Sequence, residues 1–200
     1  MKNLKNVCCS LLLLTSFSLF PLGIANAMTD DTGVIGGLNK DVDVYNYLNT
    51  YKYHLWKPEY KGLYASEDNL VLVDTFENFY HQMILTNIFI LGGNYETDKG
   101  IKVGDSVEDI RNAYGEISSD DNEHANTGTL IEHSDDTYYQ KLGYSGYNEI
   151  YYRDAKNSAI YFIINKYTQK IVLIMYQENR HGSSLGLASC MSCNLLPRLV

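Results

Sequence analysis

The five histidines of this 200-residue chain, His54, His81, His124, His133 and His181, are its most versatile side chains for metal binding or proton transfer. No pair stands in the His-Glu-x-x-His arrangement that would place two imidazoles on one helical face. His124 and His133 share a stretch with Asp120, Asp121, Glu123, Glu132, Asp135 and Asp136, which offers oxygen enough for Ca²⁺. That stretch lacks the alternating ligands and central glycine of an EF-hand, so a solvated acidic loop is expected. Cys190 and Cys193 make a single Cys-x-x-Cys. A redox pair needs its first thiol at a helix N-terminus after a strand, whereas this one follows Gly182, Ser183, Ser184 and Gly186. Zinc would need a second pair, and the expectation is a local disulfide or two free thiols.

Nucleophilic catalysis requires a nucleophile, a base and an orienting group that meet in space. Ser106, Ser145, Ser183 and Ser184 supply hydroxyls, but none lies in Gly-x-Ser-x-Gly. Gly100 and Gly104 invite a phosphate-cradle reading, yet no Lys-Ser/Thr follows Gly104 and the next turn is acidic. Carboxylates distant in sequence can still meet in a cleft, which keeps a secreted hydrolase as the alternative. No pattern singles out a catalytic set, so a non-enzymatic protein without cofactor or metal is expected.

The positive signal is tyrosine: 18 Tyr stand against one Trp. Tyrosine joins a large apolar ring to a polar tip and anchors recognition surfaces at low entropic cost. Tyr144, Tyr147, Tyr151 and Tyr161, together with Trp56, are the candidate partner-binding face. The competing reading has the same tyrosines packing a sheet against helices.

The elements that must position these residues are clearest around 95–115. Gly100 and Gly104 permit a tight turn, Asp105 and Ser106 are N-cap types, and Ser106 with Asp109 matches a capping box. Val107, Ile110 and Tyr114 fall on one helical face, and Gly115 supplies the stop. Farther on, 148–153, 159–165 and 170–177 read as an antiparallel meander separated by short polar turns. The last two of these strands are apolar on both faces, so one face must meet helices and the other must meet something else.

A shift of 63 residues places Gly37-Leu38 on Gly100-Ile101, and Val44, Tyr47 and Tyr51 on Val107, Ile110 and Tyr114. An earlier helix over 41–53 is therefore expected, with strands over 69–74 and 83–91. The expected class is α+β, with short helices on one face of an antiparallel sheet in two degenerate tandem units. The predicted divisions are 1–27, 28–33 as a flexible mature N-terminus, 34–95 and 96–178 as the units, and 179–200 as a tail.

Lys2 and Lys5, an apolar run over 7–22 and Ala25-Asn26-Ala27 have the form of a cleavable export signal. The run is interrupted by serines, Thr15 and Pro21, and no later stretch suits a membrane span. The chain carries 16 basic and 24 acidic residues, and loss of Lys2 and Lys5 would leave 14 against 24. That balance argues against nucleic acid, whose phosphates require clustered cations. The expected partner is another exported or cell-envelope protein, with a purely structural envelope module as a further alternative.

Ile35-Gly36-Gly37-Leu38 before the first helix, then Thr97, Gly100-Ile101, Gly104-Asp105-Ser106 and Tyr114-Gly115 around the second, carry a family resemblance. Over 34–177 the pattern resembles exported Firmicutes proteins of tandem helix-plus-sheet units. These are similar in architecture to the beta-lactamase inhibitory protein and, per unit, to outer-membrane assembly proteins of the BamE (SmpA) type. The resemblance implies helices on one sheet face and a concave, aromatic-rich opposite face that meets a partner. The first unit departs from the second in having Asp41 for Gly104 and Lys52 for Gly115. No inhibitory loop is recognisable, so lactamase inhibition does not carry over.

Overall fold

A computed structural model of the chain describes residues 42–57, 62–119, 127–132, 146–153 and 158–178. Among these, two short helices, α1 (Val44–Thr50) and α2 (Val107–Tyr114), accompany nine strands. The first four are β1 (His54–Leu55), β2 (Leu63–Ala65), β3 (Val71–Glu77) and β4 (Met83–Ile90). The others are β5 (Ile117–Ser118), β6 (Gly128–Glu132), β7 (Tyr147–Arg153), β8 (Ala159–Asn165) and β9 (Lys170–Gln177). They form one sheet in the order β1-β2-β3-β4-β9-β8-β7-β6-β5, antiparallel throughout except between β5 and β6. The class is α+β.

α2 forms for the reasons its sequence gives. Ser106, in extended backbone, accepts from Asp109 N through its hydroxyl, and the Asp109 carboxylate accepts from Ser106 N at 2.8 Å. The cap belongs to Ser106 alone; Asp105 instead closes the preceding turn by accepting from Lys102 N at 2.9 Å. Gly100 and Gly104 take φ of 78° and 97°, and an added Cβ would meet nothing within 4 Å at either. Left-handed backbone, not lack of space, therefore calls for glycine there. Gly104 N donates to Ile171 O and Ile171 N donates to Asp105 O, both at 2.9 Å, which pins the turn to β9. Gly115 ends the helix at φ 108°, its N–H donating to Arg111 O.

α1 is shorter than the expected 41–53, and its inner face keeps Val44 and a partly buried Tyr47 but adds Leu48 and leaves out Tyr51. Asp43 caps it, and Val44 and Leu48 are the buried pair, one turn apart. Tyr51, expected on the inner face, is 57% exposed because the helix stops at Thr50 and Lys52 turns the chain away at φ 56°. A second difference lies in the acidic stretch, where Gly128-Thr-Leu-Ile-Glu forms β6 and pairs with β7. Its apolar core is only Leu130 and Ile131, too short to stand out among acidic neighbours.

The cap supports a stability prediction. Hydrogen bonds from Ser106, first to its side chain and then to its backbone, hold the Asp109 carboxyl below its ordinary range. A depressed folded value means that this contribution is present above the usual carboxylate pKa and fades as pH falls through the lower folded value. Ser106→Ala is expected to lose about 1 kcal/mol at neutral pH, as N-cap removal commonly does. Urea unfolding of both proteins at pH 7 and below pH 4 measures the loss and the narrowing of the difference in acid.

Candidate functional site

Alternation along the strands gives the sheet two apolar faces. On one, Val73, Ile88, Ile150, Tyr152, Phe162 and Ile174 cluster with Val44 and Leu48 of α1 and with Ile110 and Tyr114 of α2. The opposite face gathers a separate cluster to which neither helix contributes a residue. Cross-strand register aligns that second cluster in a row. Tyr151 opposes Tyr161, Tyr161 opposes Met175, Met175 opposes Phe89, Phe89 opposes Leu72, and Leu72 opposes Ala65. The Tyr151 and Tyr161 rings lie 5.6 Å apart, within the range of a favourable aromatic pair.

Two residues along the strands, a polar row runs beside the aromatic one. Arg153 opposes Ala159, Ala159 opposes Gln177, Gln177 opposes Asn87, and Asn87 opposes Asp74. Tyr161 donates its hydroxyl to Gln177 Oε1 at 3.2 Å, and Asn87 Nδ2 donates to Asp74 Oδ2 at 2.9 Å. The Arg153 guanidinium stands 4.9 Å from the Tyr151 ring centroid, a cation–π distance. Burial, reinforced by the Glu149 charge and opposed by Arg153, raises the Tyr161 hydroxyl above its ordinary value, so it remains a neutral donor. Asn87 Oδ1 is buried with no hydrogen-bond partner in the structure.

The sequence-selected residues divide between this face and the scaffold. Tyr147, Tyr151, Tyr161 and Trp56 come together in the second cluster, although they derive from three separate segments. Tyr151 and Tyr161 are each 7% exposed and form its floor, whereas Trp56 and Tyr147 are half-buried at its margin. Thr97, Gly100, Gly104, Asp105, Ser106, Tyr114 and Gly115 build the turn and α2 on the other side of the molecule's core. Thr97 is buried, and its hydroxyl accepts from Ile101 N at 3.2 Å. Tyr144, Gly37, Cys190 and Cys193 lie outside the described residues, as do His124, His133 and His181.

Not every aromatic group announced itself. Phe79 and Tyr80, at the β3–β4 connection, are 93% and 79% exposed, and with Tyr167 at 81% they are the three most exposed large aromatic residues among the described residues. The available signal was two adjacent rings inside a turn opened by Asn78, where no core demands them. Among the described residues no group of three His, Cys, Asp or Glu side chains is placed to hold a metal ion. No described helix is long and apolar enough to cross a membrane. Neither protein-family models, nor curated proteins, nor solved structures give a match to this chain.

Proposed function

We propose that the chain is an exported, non-catalytic module that binds another exported or envelope protein through the second sheet face. The observation that supports this reading is a second apolar sheet face to which no described helix contributes, where half-buried Trp56 and Tyr147 stand at the margin of the buried row Tyr151–Tyr161–Met175–Phe89–Leu72. Tyrosines with fixed ring positions lose little entropy on association. The adjoining Arg153, Gln177, Asn87 and Asp74 supply donors and acceptors that give such a contact orientation. Strand addition is the less suitable mode, because the edge strands β1 and β5 are only two residues long. Export is inferred from the basic and apolar start of the sequence and its Ala25-Asn26-Ala27.

The tandem architecture belongs to the same proposal. Each half begins with a helix and continues into strands, and the final strands of the two halves, β4 and β9, pair antiparallel at the centre of the sheet. An arrangement of this kind follows naturally from two similar units facing one another. It supports the resemblance to tandem helix-plus-sheet proteins without assigning their activities.

Affinity capture from culture supernatant and envelope fractions tests the binding role. Wild type is expected to recover a defined protein, and a Trp56→Ala/Tyr147→Ala double variant, changed at the accessible margin of the face, to recover at least about tenfold less, the scale of lost aromatic hot spots. Far-ultraviolet circular dichroism and thermal melting establish that the variant is folded at the capture temperature. Equal recovery by a folded variant contradicts the assignment of the face.

A further inference from the structure

The β3–β4 connection forms a second surface of different chemistry. Asn78 organises it: its N–H donates to Gln82 O, its carbonyl accepts from His81 N, and its Oδ1 accepts from both Tyr80 N and Gln82 N, all within 3.0 Å. His81 completes the turn in the left-handed region at φ 58°. Phe79 and Tyr80 are thereby projected into solvent on a fixed turn, with ring centroids 6.0 Å apart in an edge-to-face pair. The backbone of the turn thus needs little further ordering for use in a contact.

Beside the turn opens a cleft of about 600 Å³. Its walls include Tyr45 of α1, Tyr64 of β2, Phe76 and Glu77 of β3, and His81 and Met83. Tyr45, Tyr64 and the Glu77 carboxylate share the helix-bearing side there, while Phe76 alternates to the other face of β3, and no lysine or arginine is among the described lining residues. His81 Nδ1 lies 2.6 Å from Glu77 Oε1 in an exposed pair. A hard metal ion would want several oxygens, and an anion would face both Glu77 and a chain of net charge −8. Aromatic rings joined to a carboxylate favour an organic cation. Phe79 and Tyr80, on the same turn as the wall residues Glu77 and His81, add contact area beyond the cleft that a small free cation would leave unused.

We infer that this cleft receives a lysine or arginine side chain of a partner polypeptide, with Phe79 and Tyr80 packing on the residues that flank it. None of the cleft residues belongs to the tyrosine cluster of the second sheet face, so the two surfaces stand or fall separately.

Nitrogen-15 NMR titration of the full exported chain with acetyl-Ser-Lys-Ser-amide, its norleucine counterpart and butylammonium provides the test. The lysine peptide is expected to give saturable shifts at Phe76, Glu77 and His81, and the norleucine peptide none. Glu77→Gln should weaken the lysine peptide by about threefold, the scale of one exposed charge contact. Phe79→Ser should weaken the peptide while leaving butylammonium unchanged. Equal shifts with norleucine, or undiminished affinity in Glu77→Gln, would overturn the cationic assignment. Butylammonium binding as tightly as the peptide would overturn the polypeptide assignment. A Tyr151→Ala variant is expected to titrate as wild type, which separates this site from the sheet face.

Discussion

Tyr152→Ala is expected to destabilise the fold by about 3–5 kcal/mol, the range for truncating a large buried aromatic side chain. Tyr152 is fully buried on the helix-bearing face of β7, with its ring 5.3 Å from that of Tyr114 and 6.4 Å from that of Phe162. Its hydroxyl donates to Gly115 O at 2.9 Å. One side chain therefore ties β7 in the sheet to the end of α2, through both packing and a hydrogen bond. Loss of the ring leaves a cavity between Tyr114 and Phe162 and removes the donor to Gly115. Since whole domains are commonly stable by about 5–15 kcal/mol, a loss of this size would markedly lower the denaturation midpoint. Tyr152→Phe keeps the ring and is expected to lose about 1 kcal/mol, the usual net value of one hydrogen bond. Urea titration followed by circular dichroism distinguishes the two variants; equal stability of wild type and Tyr152→Ala would show that the ring is not a packing anchor.

Gly128→Ala should be the second costly change, although it adds only a methyl group. A Cβ at Gly128 would stand 2.4 Å from Cζ of Tyr152 and 2.8 Å from both neighbouring ring carbons. Those atoms belong to a ring held by its neighbours and by Gly115, so they have little freedom to withdraw. Overpacking of this kind costs about 1–3 kcal/mol. The loss is expected to shrink when Gly128→Ala is placed in a Tyr152→Leu background, because the obstructing ring is gone. A double-mutant cycle in urea gives the coupling directly, and additive losses would refute the steric explanation.

The same contacts explain why some of this fold was legible in the chain and some was not. β8 and β9 occupy the predicted 159–165 and 170–177 because long apolar runs end at polar turns. Ser106 and Asp109 carry the start of α2 in their own side chains, so a local pattern sufficed. α1 stops at Thr50, short of the expected end at 53, because Lys52 turns the chain at positive φ, a conformation its side chain does not advertise. β6 has few apolar residues and owes its place to pairing with β7. The central β4–β9 pair joins segments separated by α2 and four other strands, and local periodicity has no access to such pairing.

The candidate face was visible as a surplus of tyrosine, but its composition required the register. Phe89, Leu72 and Met175 join Tyr151 and Tyr161 only because five strands align them. The polar row of Arg153, Gln177, Asn87 and Asp74 likewise comes from four strands and has no signature in any one of them. The aromatic turn at Phe79 and Tyr80 carried a local signal, and its significance emerges from exposure and from the neighbouring Glu77 cleft.

The most direct measurement of the binding account is site-specific photo-crosslinking in the producing cell, with benzoylphenylalanine placed at Tyr147 on the margin of the second face. The same group at Asn112, exposed on α2, reports on the helix-bearing side of the protein. A discrete protein adduct from position 147, absent from position 112, is the predicted result. Adducts from position 112 alone, or an identical adduct pattern from both positions, would contradict partner binding through the tyrosine face.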